Sequence, residues 1–255
     1  MIALKTEHDI EILREGGRRH AAIMHELVKA VVVGVKTSDL EILASRLIKE
    51  GGDKPAFLGY RPEGAERDYP ATLCVSINDE IVHGIPNEEE KILKAGDIVS
   101  LDLGLVHEER FTDMAVTLPV GKIDSVAQKL IQTTREALEI GIAAAQPGGH
   151  IGDIGAAIEK FVKPTGFSLA EGLAGHGVGF AVHEDPYVPN TGKAGKGIIL
   201  KPGMVIAIEP MLNEGMAEIK LDKDGYTYKT ADGKRSAHFE HTVLITAQGP
   251  EILTA

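Results

Sequence analysis

Cysteine is nearly missing from this 255-residue chain, where Cys74 stands alone. A single thiol excludes an internal disulfide framework, and without a Cys-x-x-Cys pair there is no thiolate zinc module. Long apolar runs are missing as well. None approaches the roughly 18 consecutive apolar residues of a membrane-spanning helix. The opening residues, Met1-Ile-Ala-Leu-Lys-Thr-Glu-His-Asp9, lack the apolar core of a secretory signal. A cytoplasmic location is the expectation. Positive charge is in deficit: 27 Lys and Arg against 38 Asp and Glu leave a net charge of −11. That balance argues against a nucleic-acid partner or a phosphate-binding surface. There is no nucleophile elbow and no phosphate-cradling glycine loop. No linker or low-complexity tract divides the chain, so one domain over residues 1–255 is expected, long enough to bury a sizeable core.

What is present is a set of metal-type ligands carried by strand-like and glycine-rich segments. Asp102 lies in Gly96-Asp-Ile-Val-Ser-Leu-Asp-Leu-Gly104, and Asp113 in Arg110-Phe-Thr-Asp-Met-Ala-Val-Thr117. A turn near His107 and Glu108 would fold these into a hairpin with Asp102 roughly opposite Asp113. Like charges facing across a ladder are destabilising, so a cation is expected between them. His176 is flanked by glycines in Gly175-His-Gly-Val-Gly179. Glu209 ends the apolar run Val205-Ile-Ala-Ile208, where an unpaired carboxylate would be costly. Glu240 alternates with Phe239 and His241 and so faces away from them. Four carboxylates and a neutral imidazole match two divalent ions in charge, as in two-metal hydrolytic centres. His83, in Ile81-Val-His-Gly-Ile-Pro86, and His183, in Ala181-Val-His-Glu-Asp-Pro186, each follow an apolar strand and precede a Pro-containing turn. They are read as hydrogen-bonding to substrate beside the metals, against the alternative of structural histidines. His238 shares the Glu240 face and is placed on the pocket lining. His8, His20, His25, His107 and His150 are expected to be solvated, and His241 to pack.

The chain also repeats itself. Leu93-Lys-Ala-Gly-Asp-Ile-Val-Ser-Leu-Asp102 aligns with Leu200-Lys-Pro-Gly-Met-Val-Ile-Ala-Ile-Glu209, and a weaker match sets Asp113 against Glu240. This predicts two related halves, about 1–120 and 121–255, with a site at their seam. Helices are predicted from Thr6 to Ala30, from Ser38 to Gly51-Gly52, and over 124–145 and 151–163. Strands are predicted at 71–77, 80–83, 97–118, 167–173, 178–183, 204–213, 216–221 and 237–246. Helices before strands in each half indicate an α+β chain, with helices covering one face of an antiparallel sheet.

Taken together, Ser76-Ile-Asn-Asp-Glu-Ile-Val-His-Gly-Ile-Pro86, Gly96–Gly104, Gly175–Gly179, Ile208-Glu-Pro-Met211 and Ser236-Ala-His-Phe-Glu-His-Thr242 resemble the type I methionine aminopeptidases of the pita-bread fold. The resemblance spans essentially the whole chain. It implies a curved antiparallel sheet in two pseudo-symmetric halves, Asp102, Asp113, His176, Glu209 and Glu240 as metal ligands, and substrate contacts by His83 and His183. It also implies a methionine pocket at Tyr60, Tyr69 and Cys74. The implied cofactor is two divalent ions, Mn, Fe, Co or Zn. The implied substrate is the N-terminus of a nascent polypeptide close to the ribosome, with a small second residue, handled by a monomer without a membrane partner. Departures surround the pocket: a longer loop over 61–68, Tyr226 where tryptophan is frequent, Val182 for phenylalanine and His238 for glutamine. Aminopeptidase P and prolidase share the metal set but carry an additional N-terminal domain, for which no room is expected here. A binding protein of the same fold would have lost ligands.

Overall fold

The computed structural model describes residues 2–62 and 64–255. Met1, in the segment read for a signal, and Glu63, in the loop read as long, lie outside them. Helix α1 (Glu7–Ala30) starts at a reciprocal cap. Thr6 Oγ1 accepts from the Asp9 amide at 3.2 Å, and the Asp9 carboxylate accepts from the Thr6 amide at 2.9 Å. Helix α2 (Thr37–Gly51) starts one residue before the predicted Ser38. The Asp39 carboxylate accepts from the Lys36 amide at 3.3 Å, so the acid rather than the serine closes this end. Gly52, with φ of 77°, terminates the helix in the left-handed region. Helices α3 (Ser125–Ala144), capped by Asp124, and α4 (Ile151–Val162) form the equivalent pair downstream.

The strands are β1 (Lys54–Pro55), β2 (Leu73–Ile77), β3 (Glu80–Val82), β4 (Ile98–His107), β5 (Arg110–Pro119), β6 (Ser168–Leu169), β7 (Ala174–Gly177) and β8 (Glu184–Pro189). They continue with β9 (Val205–Ile208), β10 (Met211–Asn213), β11 (Ile219–Leu221), β12 (Tyr228–Thr230), β13 (Ser236–His238), β14 (Glu240–Thr246) and β15 (Gly249–Ile252). Nine of them make one sheet with the path β1-β4-β5-β14-β9-β7-β8, β2 pairing with β4 and β15 with β14. All its pairings are antiparallel. The order β4-β5-β14-β9 reads as a palindrome about the β5–β14 seam. It pairs the equivalent segments of the repeat, β4 with β9 and β5 with β14.

Alternation along these strands separates core from site. Leu101, Leu103 and Leu105 of β4 pack against Met24 and Leu27 of α1 and Leu40, Ala44 and Ile48 of α2. In the second half, Ile206, Ile208, Val243 and Ile245 pack against Leu130, Leu138 and Ile142 of α3 and Ile154 and Ile158 of α4. Each half thus buries one sheet face under its own helix pair, and the intervening residues point the other way.

Several elements differ from expectation. Residues 178–183 form no strand, because Gly179 takes φ of +127° and turns the chain between β7 and β8. The run 204–213 breaks at Glu209-Pro210, and 237–246 breaks at Phe239; each continues into or from the small sheet β13-β10-β6. Proline has no amide to offer a ladder, which explains the first break. His20 and His107 are not solvated. His20 is fully buried with Nδ1 3.0 Å from Thr112 Oγ1, and His107 Nδ1 lies 2.7 Å from Asp53 Oδ1.

Candidate metal centre

The β4–β5 hairpin closes through Glu108 and Glu109, both at positive φ, with His107 paired to Arg110. This centres the turn one residue later than predicted, which slides the register by two. Asp102 therefore faces Ala115, and Asp113 faces Gly104. The two acids are diagonal neighbours on one face rather than directly opposite. The even slip preserves the face because side chains alternate with period two. The next pairing sets Ala115 against Glu240 on β14, so Asp102, Ala115 and Glu240 form one row across three strands. The smallest side chain sits between two carboxylates and leaves the space above it open. The pairing of His241 with Ile208 brings Glu209 beside Glu240 at the end of the ladder.

His176 comes from β7, where the pairing of Gly177 with Ile206 sets it in the neighbouring row, on the side of Asp113. Glycines around it serve close strand packing more than flexibility. A Cβ on Gly175 would lie 2.2 Å from the Ala207 carbonyl oxygen, and one on Gly177 would lie 2.2 Å from that of Asp185. His176 Nδ1 donates to the Gly177 carbonyl at 2.9 Å, so the other nitrogen, Nε2, presents its lone pair toward Glu209 Oε1, 3.4 Å away. Asp113 is clamped by Thr242, whose hydroxyl accepts from the Asp113 amide and donates to its carbonyl, both at 2.8 Å.

Electrostatics makes this cluster unstable by itself. Burial and the neighbouring Glu209 charge push the Asp102 carboxyl up to about 7 despite the opposing influence of His238, and burial raises Glu209 to about 8. Asp113 is raised well above the ordinary range by burial and by the charges of Asp102 and Glu209, and Glu240 by burial and by the charges of Asp113, Glu209 and Asp102. His176 is lowered to about 3 by burial, with nearby His183 adding to the effect, so its imidazole is neutral and can act as a ligand. Asp102 Oδ1 and Glu240 Oε1 are buried without a hydrogen-bond partner. Ligand atoms of Asp113, His176 and Glu240 lie within 4.8 Å of one another. Orphaned oxygens, clustered acids and a neutral imidazole fit hard or borderline divalent cations.

A cavity of about 350 Å³ opens onto this row and is lined by Asp102, Asp113, His176, Glu209 and Glu240 together with His83 and His183. His83 holds φ of 61°, a strained conformation for a non-glycine residue, and burial lowers its imidazole to about 4. His183 sits at the mouth, its ring centroid 4.3 Å from that of His176. Tyr60, Tyr69 and Cys74 form part of the wall. His238 does not line the cavity. It is buried behind the acids, with Nε2 3.6 Å from Glu209 Oε2 and 3.8 Å from Glu240 Oε2. The break at Phe239 separates it from the strand that carries Glu240. Phe57, Pro62, Leu173, Tyr187 and Met211 also line the cavity. Met211 lies within a motif read from the sequence; Tyr187 lies in β8, whose prolines hide it as a strand, and the others come from segments between strands with no periodic signal.

Residues 11–247 match metallopeptidase family M24. The methionine aminopeptidase of Aquifex aeolicus is 47% identical over 255 residues, covering 99% of this chain and 98% of that protein. The structure of methionine aminopeptidase from Thermotoga maritima superposes with a TM-score of 0.94 at 44% identity, covering 100% of this chain and 99% of that one. A prolidase from Pyrococcus furiosus shares the pita-bread fold, with a TM-score of 0.74 at 23% identity over 99% of this chain and 65% of its own. The chain belongs to metallopeptidase family M24, among its methionine aminopeptidases.

Proposed function

We propose that this enzyme removes the initiator methionine from nascent polypeptides whose second residue is small, and that both halves act as one catalytic domain with the centre at their seam. The observation that carries this reading is the convergence of five ligand-type side chains and two histidines on one cavity with an apolar wall. Asp102, Asp113, His176, Glu209 and Glu240 would hold two divalent ions, which when bound supply Lewis acidity and a more acidic water. Mn, Fe, Co and Zn all suit this donor set.

The side chains then divide the work. Glu209, which lines the cavity beside His176, accepts the proton that water gives up on attacking the scissile carbonyl. His183, at the mouth, donates a hydrogen bond to the carbonyl oxygen as negative charge develops there. His83 hydrogen-bonds the scissile amide. The wall of Tyr60, Tyr69, Cys74 and Phe57 takes the methionine side chain, and burying the thioether and its methylenes contributes on the order of 2 kcal/mol. A monomer working in the cytoplasm near the ribosome completes the reading.

Peptides Met-Ala-Ser, Met-Lys-Ser and Leu-Ala-Ser at equal concentration test it. Fastest release of methionine from Met-Ala-Ser supports both specificities. Equal or faster cleavage of Leu-Ala-Ser would refute the methionine pocket, and equal cleavage of Met-Lys-Ser would refute selection of a small second residue.

A further inference from the structure

His183 is an exposed residue at the cavity mouth. Its backbone is well anchored. The following residue, Glu184, pairs with Lys5, a side chain 1% exposed, and accepts from the Phe180 amide at 3.2 Å. Backbone anchoring does not set the rotation of the imidazole. The contact able to do so is a hydrogen bond of 2.8 Å between His183 Nδ1 and the Tyr60 hydroxyl. Tyr60 is itself held firmly. It stands at the neck of the 61–68 loop, its amide donating to Phe57 O at 2.9 Å and its carbonyl accepting from the Tyr69 amide at 2.8 Å. The Gly59 amide donates to Tyr69 O at 2.9 Å and closes the neck from the other side. The two rings lie 5.3 Å apart and tilted by 50°, in hydrogen-bonding contact rather than stacked.

We propose that Tyr60 is a positioning residue: its hydroxyl donates to His183 Nδ1, fixes the ring's rotation and leaves Nε2 as the protonated edge toward the cavity. Donor and acceptor strength give the direction of the hydrogen bond. A phenol is a better donor than acceptor, and an imidazole nitrogen lone pair is the stronger acceptor of the two groups. The tautomer that results is the one able to donate to a carbonyl oxygen. The role differs from wall-forming, because a phenylalanine would build the same wall without setting the ring.

The inference rests on His183 acting as that donor, and a double-mutant cycle separates the two claims. Turnover of Met-Ala-Ser by the metal-loaded full-length enzyme is measured for wild type, Tyr60→Phe, His183→Ala and the double variant. Tyr60→Phe is expected to lower kcat about tenfold, the scale seen on removing a partner that orients an active-site histidine, with KM little changed. In the His183→Ala background the same change should have almost no effect. Nitrogen-15 imidazole spectra of the zinc-loaded protein, with the His183 signals identified by their loss in His183→Ala, should show protonated Nε2 in wild type and a mixture of tautomers in Tyr60→Phe. If His183→Ala turns over at the wild-type rate, the donor reading fails and this inference with it. If His183→Ala is slow but Tyr60→Phe acts additively with it, raises KM alone, or leaves the tautomer unchanged, Tyr60 is only wall and the inference alone is overturned.

Discussion

Glu209 combines three properties in one side chain: a position past the end of β9, contact with His176, and a carboxyl pushed up to about 8. A carboxylate in that position is placed to take a proton from water at the cavity. Glu209→Gln should stay folded and lose at least about 100-fold in kcat; circular dichroism beside peptide turnover checks this, and near-normal turnover with full metal content would contradict it. His83 adds the backbone dimension. Its left-handed φ of 61° costs on the order of 1 kcal/mol or more, which argues for a side chain required at that spot. His83→Gly relieves that strain, so its stability in urea should fall within about 1 kcal/mol of wild type while catalytic efficiency collapses. Unfolding of that variant would make the histidine structural. The candidate carboxylates could be singled out because an acid within or at the end of an apolar run has no cheap structural explanation. His238, read as sharing the Glu240 face, does approach Glu240, but its burial short of the cavity depends on packing that alternation does not reveal.

Among elements, the capped helices and the long hairpin were readable from sequence, and the short strands were not. Thr6 with Asp9, and the Gly51-Gly52 stop, are local devices that act within a few residues. The register of β4 on β5 depends instead on where a two-residue turn settles. Glu108-Glu109 lacks the Asn-Gly signature that would have located it. Strand β8 carries Pro186 and Pro189, and β7 is half glycine, so neither looks like a strand. Those glycines report long-range contact, visible only once β9 lies alongside. Gly175→Ala tests this: with the Ala207 carbonyl 2.2 Å from the new Cβ, β7 must move away from β9 and carry His176 with it. The variant should lose about 1–3 kcal/mol in urea unfolding and bind divalent metal more weakly by competition with a chromogenic chelator. Unchanged stability and affinity would mean that the strands slide apart without cost.

At the scale of the whole molecule, the metal centre links stability to pH. Without a cation, burial pushes Asp102 up to about 7 and Glu209 up to about 8, above their ordinary values of 3.8 and 4.5, and Asp113 and Glu240 are raised too. A raised carboxyl pKa means that the folded state binds protons more tightly than the unfolded one. The stability this confers is complete below about pH 4 and is lost as pH rises through 7 to 8. Asp9, lowered to about 2 chiefly by its hydrogen bond with Thr6, works in the opposite sense and only at more acidic pH. The Tm of metal-free protein should therefore fall between about pH 6 and 8.5, and the rise in Tm on adding metal should grow over the same interval, because binding displaces protons. Scanning calorimetry of both forms checks this. A metal-free Tm that is flat or climbs across the window would contradict the electrostatic account.

The repeat between Asp102 and Glu209, and between Asp113 and Glu240, places the centre on the seam where β5 meets β14. The proposed site lies between the two helix-covered cores, and its proposed activity requires divalent metal there. The most direct measurement is methionine release from Met-Ala-Ser by exhaustively chelated protein, followed through stepwise readdition of Mn²⁺ or Co²⁺ with bound metal quantified at each step. Negligible release from the metal-free protein, rising with metal bound to the wild type and staying absent in Asp102→Asn and Glu240→Gln, is the predicted result. Undiminished release from thoroughly metal-free protein would contradict it.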